Sequence, residues 1–290
     1  MIWKTRRKSF DFSEKADSRG LVMGILNTTP DSFSDGGLHQ NKSAAVAAAL
    51  QMVADGAKII DIGGESTRPG APSVPAEQEI ERTVPLIRAL RERSDVLISI
   101  DTSKSSVASA ALAAGADIVN DVTGLTGDPE MVAICADSSC GVVVMHMQGT
   151  PRTMQKNPTY ENGVVQELEE FFAERLSFLT KAGIERESIC LDPGIGFGKT
   201  VPQNLALIQQ LGGLQSITQR PFLLGISRKS FIGKLTGIEW PPDRDAATAA
   251  ISALTYQQGI YLHRVHNVPM NVKALNLAEG DQANEKLPYA

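Results

Sequence analysis

Short β-type apolar runs recur eight times along this 290-residue chain, and each one ends in polar residues capable of chemistry. In order they are LVMGIL into Asn27, KIIDIGG into Glu65-Ser66-Thr67-Arg68, LISI into Asp101-Thr102 and DIVN into Asp121. GVVVM into His146, SICL into Asp192, PFLLGI into Ser227-Arg228-Lys229 and GIYLH into Arg264 and His266 complete the series. The segments between them carry helical periodicity, at 43–55, 76–92, 105–114, 129–136, 161–182, 202–211 and 244–257, with a final stretch at 270–277. A strand–helix alternation demands parallel pairing, because each crossover helix returns the chain to the same edge. Eight such units describe an α/β fold, a single (β/α)8 TIM barrel whose active face is formed by the strand ends. An open doubly wound sheet satisfies the same alternation.

A barrel of this kind takes about 250 residues. The expected organisation is an irregular lead-in over 1–18, a barrel domain over 19–275 and a C-terminal tail over 276–290. Hydrophobic content of 42% with only 5% aromatic residues suits strands and helices built from Ala, Val, Ile and Leu. A net charge of −5 argues against nonspecific binding to nucleic acid or an anionic membrane. No apolar run nears the roughly 18 residues of a spanning helix, and the basic N-terminus lacks the apolar stretch of a secretory signal. Three cysteines without a C-x-x-C pair point to free thiols and a cytoplasmic chain. Two connections are long for a compact domain, NTTPDSFSDGGLHQN after the first run and STRPGAPSVP after the second; loops of this length are usually functional.

LDPGIGFGKT ends in Gly-Lys-Thr, but Pro193 stands where a phosphate-cradling loop needs its first glycine. The dinucleotide pattern fails too, since Lys199 occupies its last glycine. Asp101, Asn120 and Asp192 end three runs, and each alone reads as readily as a turn-former or helix cap. Converging on one barrel mouth, they would suit a heterocycle that presents adjacent N–H donors, since a carboxylate accepts two such bonds in one plane. Alternation puts Arg264 and His266 on one face of the last run, near Lys229, where an anion would offset the cost of burying them. The loops after the seventh and eighth strands are the recurring phosphate site of such barrels. Arg264 paired with a structural carboxylate is the competing reading. His146, between Met145 and Met147, reads as a structural histidine more readily than as a base, and Met147 as an adaptable apolar pocket contact. No His/Cys/Asp cluster has transition-metal spacing, which leaves room for a hard cation held by few protein oxygens.

Taken together, MGILNTTPDSFSDGG, DIGGESTRPG, SIDTSK, VNDVTG, LDPGIGFGKT, GISRKSFIG and RVHNV closely resemble the dihydropteroate synthases, folate-pathway enzymes that join a pterin to p-aminobenzoate. The resemblance covers about residues 19–275. It implies displacement of diphosphate from 7,8-dihydropterin-6-ylmethyl diphosphate by the arylamine of p-aminobenzoate, with Mg2+ at Asn27. By the same resemblance Asp101, Lys229, Arg264 and His266 are catalytic. The pterin diphosphate would contact those four with Thr67, Asn120, Met147 and Asp192. Phe33, Thr67, Arg68, Pro69, Phe197, Ser227 and Lys229 would surround p-aminobenzoate. Sulfonamides are implied as inhibitors and a homodimer as the assembly. Asn267 stands where the family usually has an acidic residue, and Thr28 where a small aliphatic one is more usual. Two rivals share the pocket chemistry: a methyltetrahydrofolate-corrinoid methyltransferase, which needs no diphosphate pocket, and a noncatalytic pterin-binding barrel.

Overall fold

The computed structural model describes residues 1–12, 20–28, 38–67, 70–150 and 153–280, with backbone alone for 38–41. The lead-in, expected to be irregular, opens with an antiparallel hairpin of β1 (Ile2–Lys4) and β2 (Ser9–Asp11), pairing Trp3 with Phe10. Its residues alternate between faces, so Trp3, Phe10 and Phe12 all turn inward and are buried. Trp3 donates its indole N–H to the Ser188 carbonyl at 3.0 Å, and Arg220 donates to the Ile2 carbonyl at 2.7 Å. Three aromatic residues in twelve are enough to anchor a segment that otherwise looks polar.

The eight runs become eight parallel strands: β3 (Leu21–Asn27), β4 (Ile59–Gly63), β5 (Leu97–Asp101), β6 (Ile118–Asp121), β7 (Gly141–Met145), β8 (Ile189–Asp192), β9 (Leu223–Leu224) and β10 (Leu262–Val265). Each pairs with the next except β8 with β9, and β10 returns to β3, giving the order β8-β7-β6-β5-β4-β3-β10-β9. A parallel bridge between Leu191 and Phe222, with Leu191 N–H donating to the Pro221 carbonyl at 2.9 Å, joins β8 to the segment entering β9. The ring therefore closes into a barrel, and the open sheet is excluded.

The two-residue pleat sorts the strand side chains. Outward residues such as Ile60, Ile98, Val119 and Val142 pack under the helices in the main core. Inward residues Leu21, Met23, Ile59, Leu97, Ile118, Val143, Cys190, Leu223 and Leu262 form a separate apolar plug, sealed by Trp3, Phe10 and Phe12 of the hairpin. One pleat further along, the inward positions turn polar: Ile59 is followed by Asp61, Leu97 by Ser99, Ile118 by Asn120, Cys190 by Asp192 and Leu262 by Arg264. The plug is the floor on which the site stands.

Around the barrel run α1 (Leu38–Ala54), α2 (Ala76–Arg91), α3 (Ser105–Ala114), α4 (Met131–Ser138), α5 (Val164–Lys181), α6 (Val201–Thr218), α7 (Ser230–Thr236), α8 (Asp245–Tyr256) and α9 (Val268–Gly280). The first begins five residues before the expected start, taking Asn41-Lys42-Ser43 inside it. The sixth runs through Gly212-Gly213 to Thr218 instead of stopping at Leu211. A side chain at Gly212 would sit 2.9 Å from the Gln258 carbonyl, so this glycine serves close packing and not termination. Buried Leu214 and Thr218 carry the apolar stripe onward. The short α7 was not anticipated; it buries Phe231 and Ile232 beside the barrel mouth. The helix expected at 270–277 spans Val268–Gly280, so the boundary drawn at 276 falls inside it. Cys135, Cys140 and Cys190 are free and all three are buried.

Candidate active site

The polar inward layer forms the floor of a pocket at the C-terminal ends of the strands. Arg264 lies at its centre, donating from Nε to Asp61 Oδ2 at 2.6 Å and from Nη2 to Asp101 Oδ2 at 2.7 Å. Burial opposes its charge, but these two carboxylates hold its pKa above the usual value. Asn120 turns its amide nitrogen toward Asp61, 3.3 Å from Oδ2. Asp101 is 7% exposed, and its second oxygen, Oδ1, is buried without a hydrogen-bond partner. Burial pushes the Asp101 carboxyl up to about 7; Asp61, Glu79 and Asp121 add to the rise and Arg264 works against it. Asp192 accepts the Gly194 N–H at 2.7 Å. Its pKa is raised by burial, against the pull of Lys229, the Gly194 N–H, Arg264 and Lys199.

Two glycines at inward positions leave the place of a side chain empty beside this layer. A side chain at Gly63 would lie 3.5 Å from Asp101 Cβ and 3.9 Å from Asn27 Oδ1, and one at Gly225 would lie 3.6 Å from Asp192 Oδ2. Asn27, the last residue of β3, pairs with Gly63 in register, so its carboxamide oxygen borders the same space as Asp101. Thr28 bonds through both its N–H and its hydroxyl to the Gly63 carbonyl, which fixes the exit of β3 and explains a hydroxylated residue there.

Lys229 and Phe197 form the next wall. Lys229 Nζ bonds the Ile195 carbonyl and lies 4.5 Å from the centre of the Phe197 ring. Burial lowers the Lys229 pKa to about 8, with Arg264 adding repulsion and Asp192 opposing. Ser227 Oγ meets His266 Nδ1 at 2.9 Å and accepts the His266 backbone N–H at 3.1 Å, tying the ends of β9 and β10 together. Arg228 takes a left-handed backbone (φ 61°) and grips Asp245 with two bonds of 2.7 and 2.8 Å. Asn267, the departure from the family pattern, donates to Asp245 Oδ2 at 3.1 Å and accepts the Met270 N–H at 3.1 Å, leading α9 out of the strand. The acidic group beside His266 is thus Asp245. Its pKa is lowered although burial opposes, because Arg228, Asn267 and His266 act on it.

The loop carrying Phe197 is pinned by Lys199, whose place in the sequence suggests only a failed glycine motif. Its buried ammonium donates to the carbonyls of Gly194 (3.1 Å), Phe197 (3.0 Å) and His146 (3.3 Å), and lies 3.0 Å from His146 Nδ1. Burial lowers its pKa to about 7. His146, held at about 3 by burial and by Lys199 and packed edge-on against Phe171, is the structural histidine expected. Gly194 has φ 62°, and a side chain there would fall 1.9 Å from the His146 carbonyl, so only glycine lets the loop fold back on β7. Met147 follows His146 off that strand and is half-buried.

Asp101, Asn120, Asp192, Phe197, Ser227, Lys229, Arg264 and His266 are therefore brought to one mouth. Thr67 is half-buried at the start of the loop after β4. Phe33, Arg68 and Pro69 lie outside the described residues. Asp61 was missed among the site residues, although a carboxylate centred in KIIDIGG, a strand buried on both faces, is costly without a partner and so carries a signal of its own. Among the described residues no three His, Cys, Asp or Glu side chains cluster as a metal site.

A family model described as pterin binding enzyme matches residues 23–266, from within β3 to the histidine that ends the site. A dihydropteroate synthase of Synechocystis sp. is 46% identical over 261 residues, covering 90% of each chain. The chain belongs to the dihydropteroate synthase family. A Yersinia pestis dihydropteroate synthase solved with a sulfonamide drug superposes with a TM-score of 0.89 at 40% identity, covering 98% of this chain and 100% of that one. A Xanthomonas albilineans dihydropteroate synthase solved with 7,8-dihydropteroate gives 0.86 at 38% identity, covering 99% and 100%. Family membership removes the corrinoid methyltransferase as a reading and bears out the TIM barrel. The noncatalytic alternative turns on activity alone.

Proposed function

We propose that this barrel condenses 7,8-dihydropterin-6-ylmethyl diphosphate with p-aminobenzoate to give 7,8-dihydropteroate and diphosphate. The observation that carries this reading is the polar inward layer of Asp101, Asn120, Asp192 and Arg264 with Lys229 beside it, in a chain whose relatives bear that activity in their names. Asp101 Oδ1, buried and without a partner, and Asp192 accept the N–H edge of the pterin, while Phe197 and Lys229 line the approach of the arylamine. As the methylene–oxygen bond breaks, positive charge grows on the pterin methylene and negative charge on the departing diphosphate. The ionised form of Asp101 stabilises the first. Lys229, Arg264 and His266 stabilise the second; Arg264 has five N–H donors, of which two are held by Asp61 and Asp101. The arylamine attacks as the neutral nucleophile it already is, so no strong base is needed, and His146 is not required as one.

Mg2+ fits this site through few protein oxygens. Asn27 offers a neutral carboxamide oxygen beside the space left by Gly63, in keeping with a hard cation that keeps its waters and takes most ligands from substrate phosphates. When bound, it would neutralise charge on the leaving diphosphate. The loops after β3 and β4, with Phe33, Thr67, Arg68 and Pro69, are read as the p-aminobenzoate side and as the target of sulfonamides, which the Yersinia pestis relative binds. A homodimer is proposed through the apolar groove between α8 and α9, where Leu254 is 67% and Leu277 78% exposed. No helix among the described residues is long and apolar enough to cross a membrane; a cytoplasmic location is proposed.

The test is diphosphate release from the pterin diphosphate with Mg2+, with and without p-aminobenzoate. Arylamine-dependent release with formation of dihydropteroate is expected. Folded protein that binds pterin and releases nothing would leave the pocket standing and the catalytic reading overturned.

A further inference from the structure

We propose that Asp61 is a positioning residue of this reaction, setting which end of the Asn120 carboxamide faces the pterin and keeping one oxygen of Asp101 free to receive it. The proposal rests on the pterin reading of the pocket. Asp61 is fully buried in the middle of β4, one pleat below the mouth, with the apolar plug beneath it and Gly63 above. It does not border the open space itself. Its two oxygens meet Arg264 Nε at 2.6 Å and Asn120 Nδ2 at 3.3 and 3.4 Å.

Two consequences follow from a carboxylate that can only accept. Asn120 must give Asp61 its N–H end, so the carboxamide oxygen faces away from Asp61 and becomes an acceptor for the ligand. Arg264, turned with its Nε onto Asp61, offers Asp101 a single bond, from Nη2 to Oδ2. Asp101 Oδ1 therefore stays without a partner in the buried floor. Without Asp61 the planar fork of Arg264 is free to rotate into a two-bond grip on Asp101, which would occupy that oxygen. One buried side chain thus presets two recognition groups on two other strands, as a ligand-facing layer requires from the layer behind it.

Nitrogen-15 NMR of side-chain N–H groups in the full chain, titrated with 6-hydroxymethyl-7,8-dihydropterin, tests this without any substitution. Couplings across the hydrogen bonds of the Asn120 amide and the Arg264 Nε proton should run to the Asp61 carboxylate with and without the ligand, because Asp61 and not the ligand holds them. Loss of the coupling between the Asn120 amide and Asp61 on adding the pterin, with a new coupling to the pterin, would show the amide donating to the ligand and overturn the proposal.

Kinetics supplies the second arm. Asp61→Asn should lower kcat/KM for the pterin diphosphate about 100-fold, with the p-aminobenzoate KM little changed. Adding Asn120→Asp should recover about tenfold, since the exchanged pair again matches a donor with an acceptor. Wild-type activity in Asp61→Asn, or a double variant no better than the two losses combined, would overturn the proposal. If the wild-type chain turns nothing over, the functional reading fails instead, and the NMR titration still decides the role of Asp61.

Discussion

Asp192 is 5% exposed and has one oxygen committed to the Gly194 N–H, so its recognition of a ligand falls to the other. Asp192→Asn replaces a two-acceptor group with a mixed one, and pterin affinity should fall about 10- to 100-fold by calorimetry. Unchanged affinity would remove Asp192 from the pocket. Asp101 sets the pH response. Burial raises its pKa to about 7, so below that pH it carries a proton and no charge to stabilise the developing cation. The kcat/KM for pterin diphosphate should therefore fall as pH drops through about 7, and Asp101→Asn should abolish that acid limb along with most of kcat. Arg264→Ala acts twice, because it removes a diphosphate donor and leaves Asp61 and Asp101 buried without their cation. Its anion role is read from the ratio: affinity for the pterin diphosphate should fall much further than affinity for the pterin alone, and equal losses would refute it. At this scale legibility followed position. Asp101, Asn120, Asp192 and Arg264 were readable because they end strands, where a barrel keeps its chemistry. Asp61 and Lys199 act from behind the pocket surface: a lone carboxylate in an apolar strand signals that a partner exists without naming it, and Arg264, Asn120 and His146 come from distant segments.

The strands were legible as elements because the barrel buries both faces of each, leaving short apolar runs with polar ends. Helix ends were less so. Gly212-Gly213 resembles a stop, yet it lies inside α6 for the sake of contact with Gln258. The short α7 follows a strand end rich in charge, which hid its two buried apolar residues. The hairpin was missed because its alternation is only three residues long per strand. The loop from Asp192 to Thr200 shows how an element gains rigidity without regular structure. Lys199 gathers three carbonyls, and Thr200 then starts α6 with a capping box to Gln203. Lys199→Met should leave those carbonyls unpaired and free Phe197 to move. We expect the p-aminobenzoate KM to rise about tenfold with a smaller effect on pterin binding. Identical changes in both would place Lys199 under the whole pocket and not under this loop.

For the whole molecule, the barrel and its active face were legible from the repeat alone, whereas the seal at the opposite end was not. Trp3 fills that end and bonds the Ser188 carbonyl, so Trp3→Ala should cost about 3–5 kcal/mol in chemical denaturation while the folded fraction keeps its kcat. A loss of kcat out of proportion to unfolding would link the seal to the site. The assembly is tested at α8 and α9: Leu277→Asp should convert a dimer into a monomer by light scattering. A wild-type monomer would sink the proposed interface outright.

The seal also gives the molecule an optical gauge. The chain has two tryptophans, Trp3 wholly enclosed and Trp240 66% exposed, so their emission differs in colour and in access to a quencher. The blue, shielded component comes from Trp3 and depends on segments more than 180 residues further along the chain, Ser188 and Arg220 among them. Its appearance during refolding therefore timestamps the moment the N-terminal hairpin meets the segments that flank β8 and β9, with no label added.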